Sequence, residues 1–311
     1  MSRKPRDLTI RLSMKSNTQD PGTQELGAAL CRIPVFRPVA LELLRVLDDE
    51  KTSVLEVADL VGSDPALCTE LLITSNSAAY GTRRAVNTVP KAIAVLGIEK
   101  TKAIALRASL EAMQRGIGKH HAVENTWAHS RAAGVIAEWL APYFRFHPDR
   151  AYIAGLLHDI GRLGLLAIDL ERYGSLLERA SGTEGNLLDA ERSQFRLDHC
   201  EAGLWLTRTW GLPPELWAVC SKHHGERGPL EDDVLTISRL GCALAHGLGY
   251  RAAPGVHARE LAEILAELPA GTLPAPSFPE SILWNRLKQE VGYEPSDLSP
   301  ASVTGASMAI N

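Results

Sequence analysis

The chain has 311 residues, 45% hydrophobic and 23% charged, with a formal net charge of −4. This is globular composition, enough for one large domain or two of ordinary size, and it excludes a disordered chain. The slight acidity argues against broad, charge-driven nucleic-acid binding. Five dispersed cysteines without a CxxC pair (Cys31, Cys68, Cys200, Cys220, Cys242) read as reduced thiols of a cytoplasmic protein, and no secretory leader or apolar run of membrane length is expected.

Residues 1–24 read as a basic tail. Leu8, Ile10, Leu12 and Met14 alternate with polar residues, a period of two that suits a strand added to a partner's sheet edge; a loose terminus is the preferred reading. From residue 25 to 118 the apolar spacing is helical. Ser53 is placed to cap a helix starting near Val54, and Asp64–Pro65 opens the next. Gly81 then breaks the pattern, and two further helices pivot near Gly97. "GIGKHH", Gly116 to His121, marks the boundary to a second helical block over residues 119–250. Residues 251–311 carry further helices, a Pro-rich linker "PAGTLPAPSFP" and a small-residue tail. The fold class is all-α, an N-terminal helical bundle packed on a second helical bundle.

Histidines carry the chemistry. His129, His158 and His199 sit within predicted amphipathic helices, and His223 and His224 at a helix end. Singly, each suits a hydrogen-bonded core or surface histidine. Asp159, beside His158 in an apolar run, changes that reading. A buried carboxylate and imidazole need compensation, and together they suit Fe, Mn, Zn or Ni. Two such ions would hold a phosphate ester and activate a bound water. No GxxxxGK, GxGxxG, GxSxG or HExxH competes. Asn76, Ser77 and Tyr80 have two readings: an interaction groove between the helical halves, or a helix C-terminus with Gly81 left-handed, which is preferred. Core packing is the default role for Trp205, Trp210 and Trp217.

"GLLHDIGRLGLL", with "WAHS" upstream and "HHG" downstream, resembles the HD superfamily of metal-dependent phosphohydrolases. "IPVFRPVALELLRVLDD", "LVGSDPALCTELLITSNSAAYG" and "TVPKAIAVLGIEKTKAIAL" closely resemble the N-terminal helical half of the HDOD domain. Asp64–Pro65, Asn76–Ser77, Tyr80–Gly81, Ala92–Ile93 and Leu96–Gly97 are the characteristic residues, and the likeness covers roughly residues 25 to 250. The resemblance implies a bacterial signalling module related to the HD-GYP cyclic-di-GMP phosphodiesterases, usually without demonstrated catalysis. Its fold would be an all-α N-terminal bundle on an HD-like helical bundle. It implies His129, His158, Asp159, His199 and His223 or His224 as metal ligands, with Fe, Mn or Zn as the candidate ion. Asp159 and Arg162 are the candidates for catalysis if the chain is an enzyme. Arg162 replaces the lysine common after "HDIG" and suits a phosphate oxygen.

Two departures weigh against turnover. The GYP element is missing, the sequence reading "HHGERGPLEDD". Cys242 aligns where HD enzymes place a ligand aspartate. An inert buried thiol is the plain reading of Cys242, with His246, one helical turn on, as an alternative stand-in. The expected function is therefore regulation by protein or ligand binding, without efficient catalysis. A signalling protein is the expected partner and a nucleotide a further candidate ligand; membrane is not expected and nucleic acid is disfavoured. The alternative is a metal-dependent phosphohydrolase acting on a nucleotide or cyclic dinucleotide.

Overall fold

The computed structural model describes residues 21–30, 33, 38–45, 52–82, 85–224, 234–268 and 281–292. The alternating segment Leu8 to Met14 and the Pro-rich linker lie outside the described residues. In chain order the helices are α1 (Pro21–Leu30), α2 (Pro38–Arg45), α3 (Val54–Gly62), α4 (Pro65–Ser75), α5 (Val89–Leu96), α6 (Ile98–Ile117), α7 (His121–Leu140) and α8 (Pro148–Leu157). There follow α9 (Ile160–Ile168), α10 (Leu170–Arg179), α11 (Glu184–Phe195), α12 (His199–Thr209), α13 (Pro214–Lys222), α14 (Val234–Gly247), α15 (Leu261–Leu265) and α16 (Ser281–Val291). Among the described residues the fold is all-α; a single backbone bridge joins Gly182 to Val256.

Local chemistry sets the helix starts. Ser53 accepts from the Glu56 amide while the Glu56 carboxylate takes the Ser53 amide, a reciprocal cap. Asp64 accepts from the amides of Ala66 and Leu67 ahead of Pro65. Gly97 joins α5 to α6 at φ 84, a conformation open to glycine.

Helices α2 to α6 pack on one another around Leu43, Val57, Leu67, Leu71, Ile93 and Leu106, all buried. The second bundle centres on α7, packed along α8 and α14, while α12 lies across α9 and α13. Helix α1 begins within the stretch read as tail and crosses over to rest on α9 and α12, with Gly27 against the Trp205 ring. Of the three tryptophans, Trp210 is fully buried, and Trp205 and Trp217 are half-buried.

A half-buried ion network ties the two bundles together. Lys100 of α6 reaches Glu138 of α7 (3.3 Å) and Asp149 of α8 (3.2 Å), and Arg286 of α16 reaches the same Glu138 (2.7 Å). Contrary to expectation, one stretch does have the length and apolar content of a membrane span. It is Pro148–Ile168, which is α8 with α9, and 89% of its apolar window is buried inside the protein as core.

Candidate metal centre

The pair His158–Asp159 falls in the break between α8 and α9. His158 keeps a helical backbone, but Asp159 turns to φ −100, ψ 18 and opens α9 without capping it, so its carboxylate is free to point inward. Glycines on either side bring in the neighbouring helices. A Cβ at Gly155 would lie 2.6 Å from the Ala133 carbonyl oxygen, and one at Gly161 only 1.8 Å from that of His199. Without side chains there, α8 touches α7 and α9 touches α12, backbone to backbone. This is how His129 and His199 reach Asp159.

Asp159 is then the middle of two groups of donors. On one side its Oδ2 lies 3.6 Å from Nε2 of both His129 and His158, and Cys242 Sγ lies 3.5 Å from His129 Nε2. On the other side its Oδ1 lies 3.4 Å from His199 Nε2 and 3.1 Å from His223 Nε2, with His224 alongside. Asp159 is 1% exposed and His158 and His199 are 0% exposed, so the groups compensate one another out of water.

The hydrogen bonds fix which ring nitrogens are bare. His129 Nδ1–H donates to the Tyr250 carbonyl (2.7 Å), and His158 Nδ1–H to that of Gly155 (2.7 Å). His199 Nδ1–H donates to Glu191 (2.7 Å), and His223 Nδ1–H to the Val219 and Cys220 carbonyls (3.1 and 3.2 Å). Every one of these rings therefore turns Nε2 toward Asp159. Burial holds His129 below and His158 well below the usual imidazole range, so both are neutral. Two bare Nε2 lone pairs consequently face each other 3.1 Å apart. Two acceptors at that distance repel unless a cation sits between them and their neighbours. Nδ1 tied to an acceptor with Nε2 free is how a ligating histidine is oriented.

Charge tells the same story. Burial would raise the Asp159 carboxyl, but Arg162 above all, with His223 and His199, outweighs it and holds it well below the carboxylate range. Arg162 donates Nε–H to Asp159 (2.9 Å), pairs with Glu184, and lies 3.6 Å from Glu191. Against burial, His199 and Arg162 hold Glu191 down to about 2. Three carboxylates thus surround one guanidinium. The surplus is met by His199, raised well above its ordinary value by Glu191 against the pull of burial and Arg162, and by His223, raised to about 9 by Cys200 and Asp159 against burial. A bound cation would take over that role. The donor set, the bare lone pairs and the charge surplus all fit a divalent metal.

All six ligand candidates, His129, His158, Asp159, His199, His223 and His224, are brought together with Arg162. Both histidines of the "HH" pair are present, their rings 4.2 Å apart. Cys242 stands in the cluster, whereas His246 turns its Nε2 to the Val256 carbonyl (3.1 Å). Asn76, Ser77 and Tyr80 are not part of this centre. The Asn76 amide donates to the Leu72 and Val86 carbonyls and accepts from the Val86 amide, each at 2.8 Å, pinning the segment that follows. Ser77 makes no side-chain cap, and Gly81 is left-handed at φ 54. Sequence reasoning missed Glu184 and Glu191. The available signal was Glu191, which lies one turn from Leu187 and Phe195 on the buried face of α11.

Histidines and an aspartate thus converge from α7, the α8–α9 break, α12 and α13 within an all-helical bundle, as the resemblance to the HD superfamily implies. The HDOD domain family model matches residues 33–226, more than half of the chain, and the protein belongs to that family. A protein of uncharacterised function from Treponema pallidum (strain Nichols) is 25% identical over 206 residues; the match covers 62% of this chain and 37% of that relative's length. Among solved structures, an HDOD domain protein of unknown function from Geobacter sulfurreducens superposes with a TM-score of 0.62 at 19% identity, covering 92% of this chain and 93% of the other. A protein from Marinobacter aquaeolei VT8, provisionally described as a signal transduction protein, gives 0.59 at 18% identity, over 95% and 67%. One from Shewanella amazonensis SB2B, provisionally described as a metal-dependent phosphohydrolase, gives 0.53 at 20% identity, over 92% and 98%. These likenesses establish the shared fold.

Proposed function

We propose that the chain is a metal-holding regulatory module of the HDOD family that works by binding a signalling protein, without efficient hydrolysis. His129, His158, Asp159, His199, His223 and His224 would hold one ion or two, on the two sides of Asp159. Such an ion, when bound, supplies a positive centre that replaces the protons on the buried rings and cross-links the helices. The observation that carries the choice of binding over catalysis is Arg162. It is the cation best placed to grip a phosphate, yet it is 3% exposed and already occupied by Asp159 and Glu184. A guanidinium committed to two carboxylates is not free for bidentate phosphate recognition.

Elemental analysis of the purified chain, with Asp159→Ala as control, tests the metal. A phosphodiester screen on the metal-loaded protein tests the function. The expected result is about one or more equivalents of Fe, Mn or Zn, lost in the control, and no turnover of simple phosphodiesters or cyclic dinucleotides. Metal-dependent hydrolysis abolished by Asp159→Ala would overturn it. One observation favours that second reading: the two oxygens of Asp159 lie near donors on either side, Oδ2 near His129 and His158 and Oδ1 near His199 and His223, as a two-metal hydrolase needs. In that case Glu184 must release Arg162, and Glu184→Gln would raise turnover.

A further inference from the structure

The two sides of Asp159 do not offer the same chemistry. One presents three imidazoles. The other presents two imidazoles and a thiol, all inside the protein: His129 3%, His158 0% and Cys242 7% exposed. We propose that His129, His158 and Cys242, completed by Oδ2 of Asp159, form a closed tetrahedral site for a thiophilic divalent ion, zinc above all, held as a structural ion. This rests on the metal-holding reading above and adds to it which ion this half selects and why.

The spacing supports it. Zinc–ligand distances of 2.0–2.3 Å in a tetrahedron put neighbouring donor atoms about 3.3–3.8 Å apart. Four of the six separations are 3.1 Å (His129 to His158), 3.5 Å (Cys242 to His129) and 3.6 Å (Asp159 to each histidine), and Cys242 lies within 4.8 Å of His158. Those four are within a few tenths of an ångström of that range without moving a helix.

The supports around the donors are those a ligating set requires. The Tyr250 and Gly155 carbonyls hold the two rings with Nε2 bare, and Arg162 steadies Asp159 through the same oxygen. Two nitrogens, one sulfur and one oxygen fill four positions and leave none for water, as in a structural rather than a catalytic zinc site. Without the ion, burial keeps the Cys242 thiol well above its ordinary range, so it is protonated. On binding, the S–H proton leaves to solvent and the sulfur lone pair forms the metal–sulfur bond, with no change in oxidation state. Thiolate favours zinc over manganese or magnesium, which prefer oxygen.

The test is cobalt(II) substitution in the full chain, since cobalt mimics zinc and reports its ligands by colour. The wild type is expected to show thiolate-to-cobalt charge transfer in the near ultraviolet with the intense visible bands of tetrahedral cobalt. Cys242→Ser should lose the charge-transfer band, while Cys200→Ser, the neighbouring buried thiol, should keep it. Cys242→Asp should still bind metal, with zinc's advantage over manganese reduced by about tenfold or more. Circular dichroism of each variant separates loss of a ligand from loss of fold. Cobalt bound at the same stoichiometry with a spectrum unaltered by Cys242→Ser would overturn this inference and leave the metal-holding reading standing. Failure of the wild type to bind cobalt, zinc, iron or manganese would overturn both.

Discussion

The two helical bundles of this protein are built on opposite principles. The N-terminal bundle of α2 to α6 has an apolar core of Leu43, Val57, Leu67, Leu71, Ile93 and Leu106; Ser53 and Asp64 cap its helices, and the buried Lys102 is paired with Glu99. The second bundle places Asp159, Arg162, Glu191 and four histidines at its centre. Removal of apolar surface from water holds the first together, roughly in proportion to the area buried. The second gains little from its buried charges as such, because their desolvation cancels much of their attraction. It depends instead on mutual neutralisation, and so on every partner being in place.

That contrast can be broken at several points, in falling order of effect. Gly161→Ala should be the most damaging, because the new Cβ meets the His199 backbone oxygen. A loss above about 4 kcal/mol is expected, seen as failure to fold or a much lower urea midpoint. Asp159→Ala should cost about 3–5 kcal/mol by stripping buried cations of their shared counter-charge, and should also abolish bound metal. Retention of metal in that variant would undo the account of the second bundle. Leu71→Ala should cost about 2–5 kcal/mol by leaving a cavity, yet leave metal stoichiometry unchanged. Metal lost there would mean the bundles are not separable in this way. Asn76→Ala should cost about 1–3 kcal/mol, as the Val86 amide and carbonyl lose their partners, with metal content unaffected. Ser53→Ala should cost about 0.5–2 kcal/mol through loss of the α3 cap, measurable by thermal or urea denaturation.

Much of this was legible in the residues, for local reasons. Ser53 and Asp64 start their helices as their side-chain chemistry dictates, and Gly81 adopts the left-handed turn suggested by the break in pattern. The convergence of His129, His158, His199, His223 and His224 on Asp159 could be read from the resemblance but not from spacing, since it depends on how five separate helices cross. Glycines were the hidden determinant. Gly155 and Gly161 look like ordinary interruptions in an apolar run, and only the crossing shows that they set the distance between helices. Glu184 and Glu191 escaped because a carboxylate on an amphipathic helix normally faces water, and a buried guanidinium to receive it is not visible in sequence. Asn76 was open to two readings because its hydrogen bonds run to a segment ten residues away.

The donors also have an order in time. His158 and Asp159 are adjacent, but His223 lies 64 residues beyond Asp159 and Cys242 lies 113 residues beyond His129. Contacts that span so much chain close late, after the loops between them have lost their freedom. On a ribosome, α2 to α6 can collapse while the later helices are still being made, whereas the centre must wait for α14 to emerge. Until then His158, Asp159 and Arg162 sit in a half-built bundle that still lacks His223 and Cys242. Synthesis itself therefore exposes the second bundle to aggregation and to capture by the wrong ion for longer than the first.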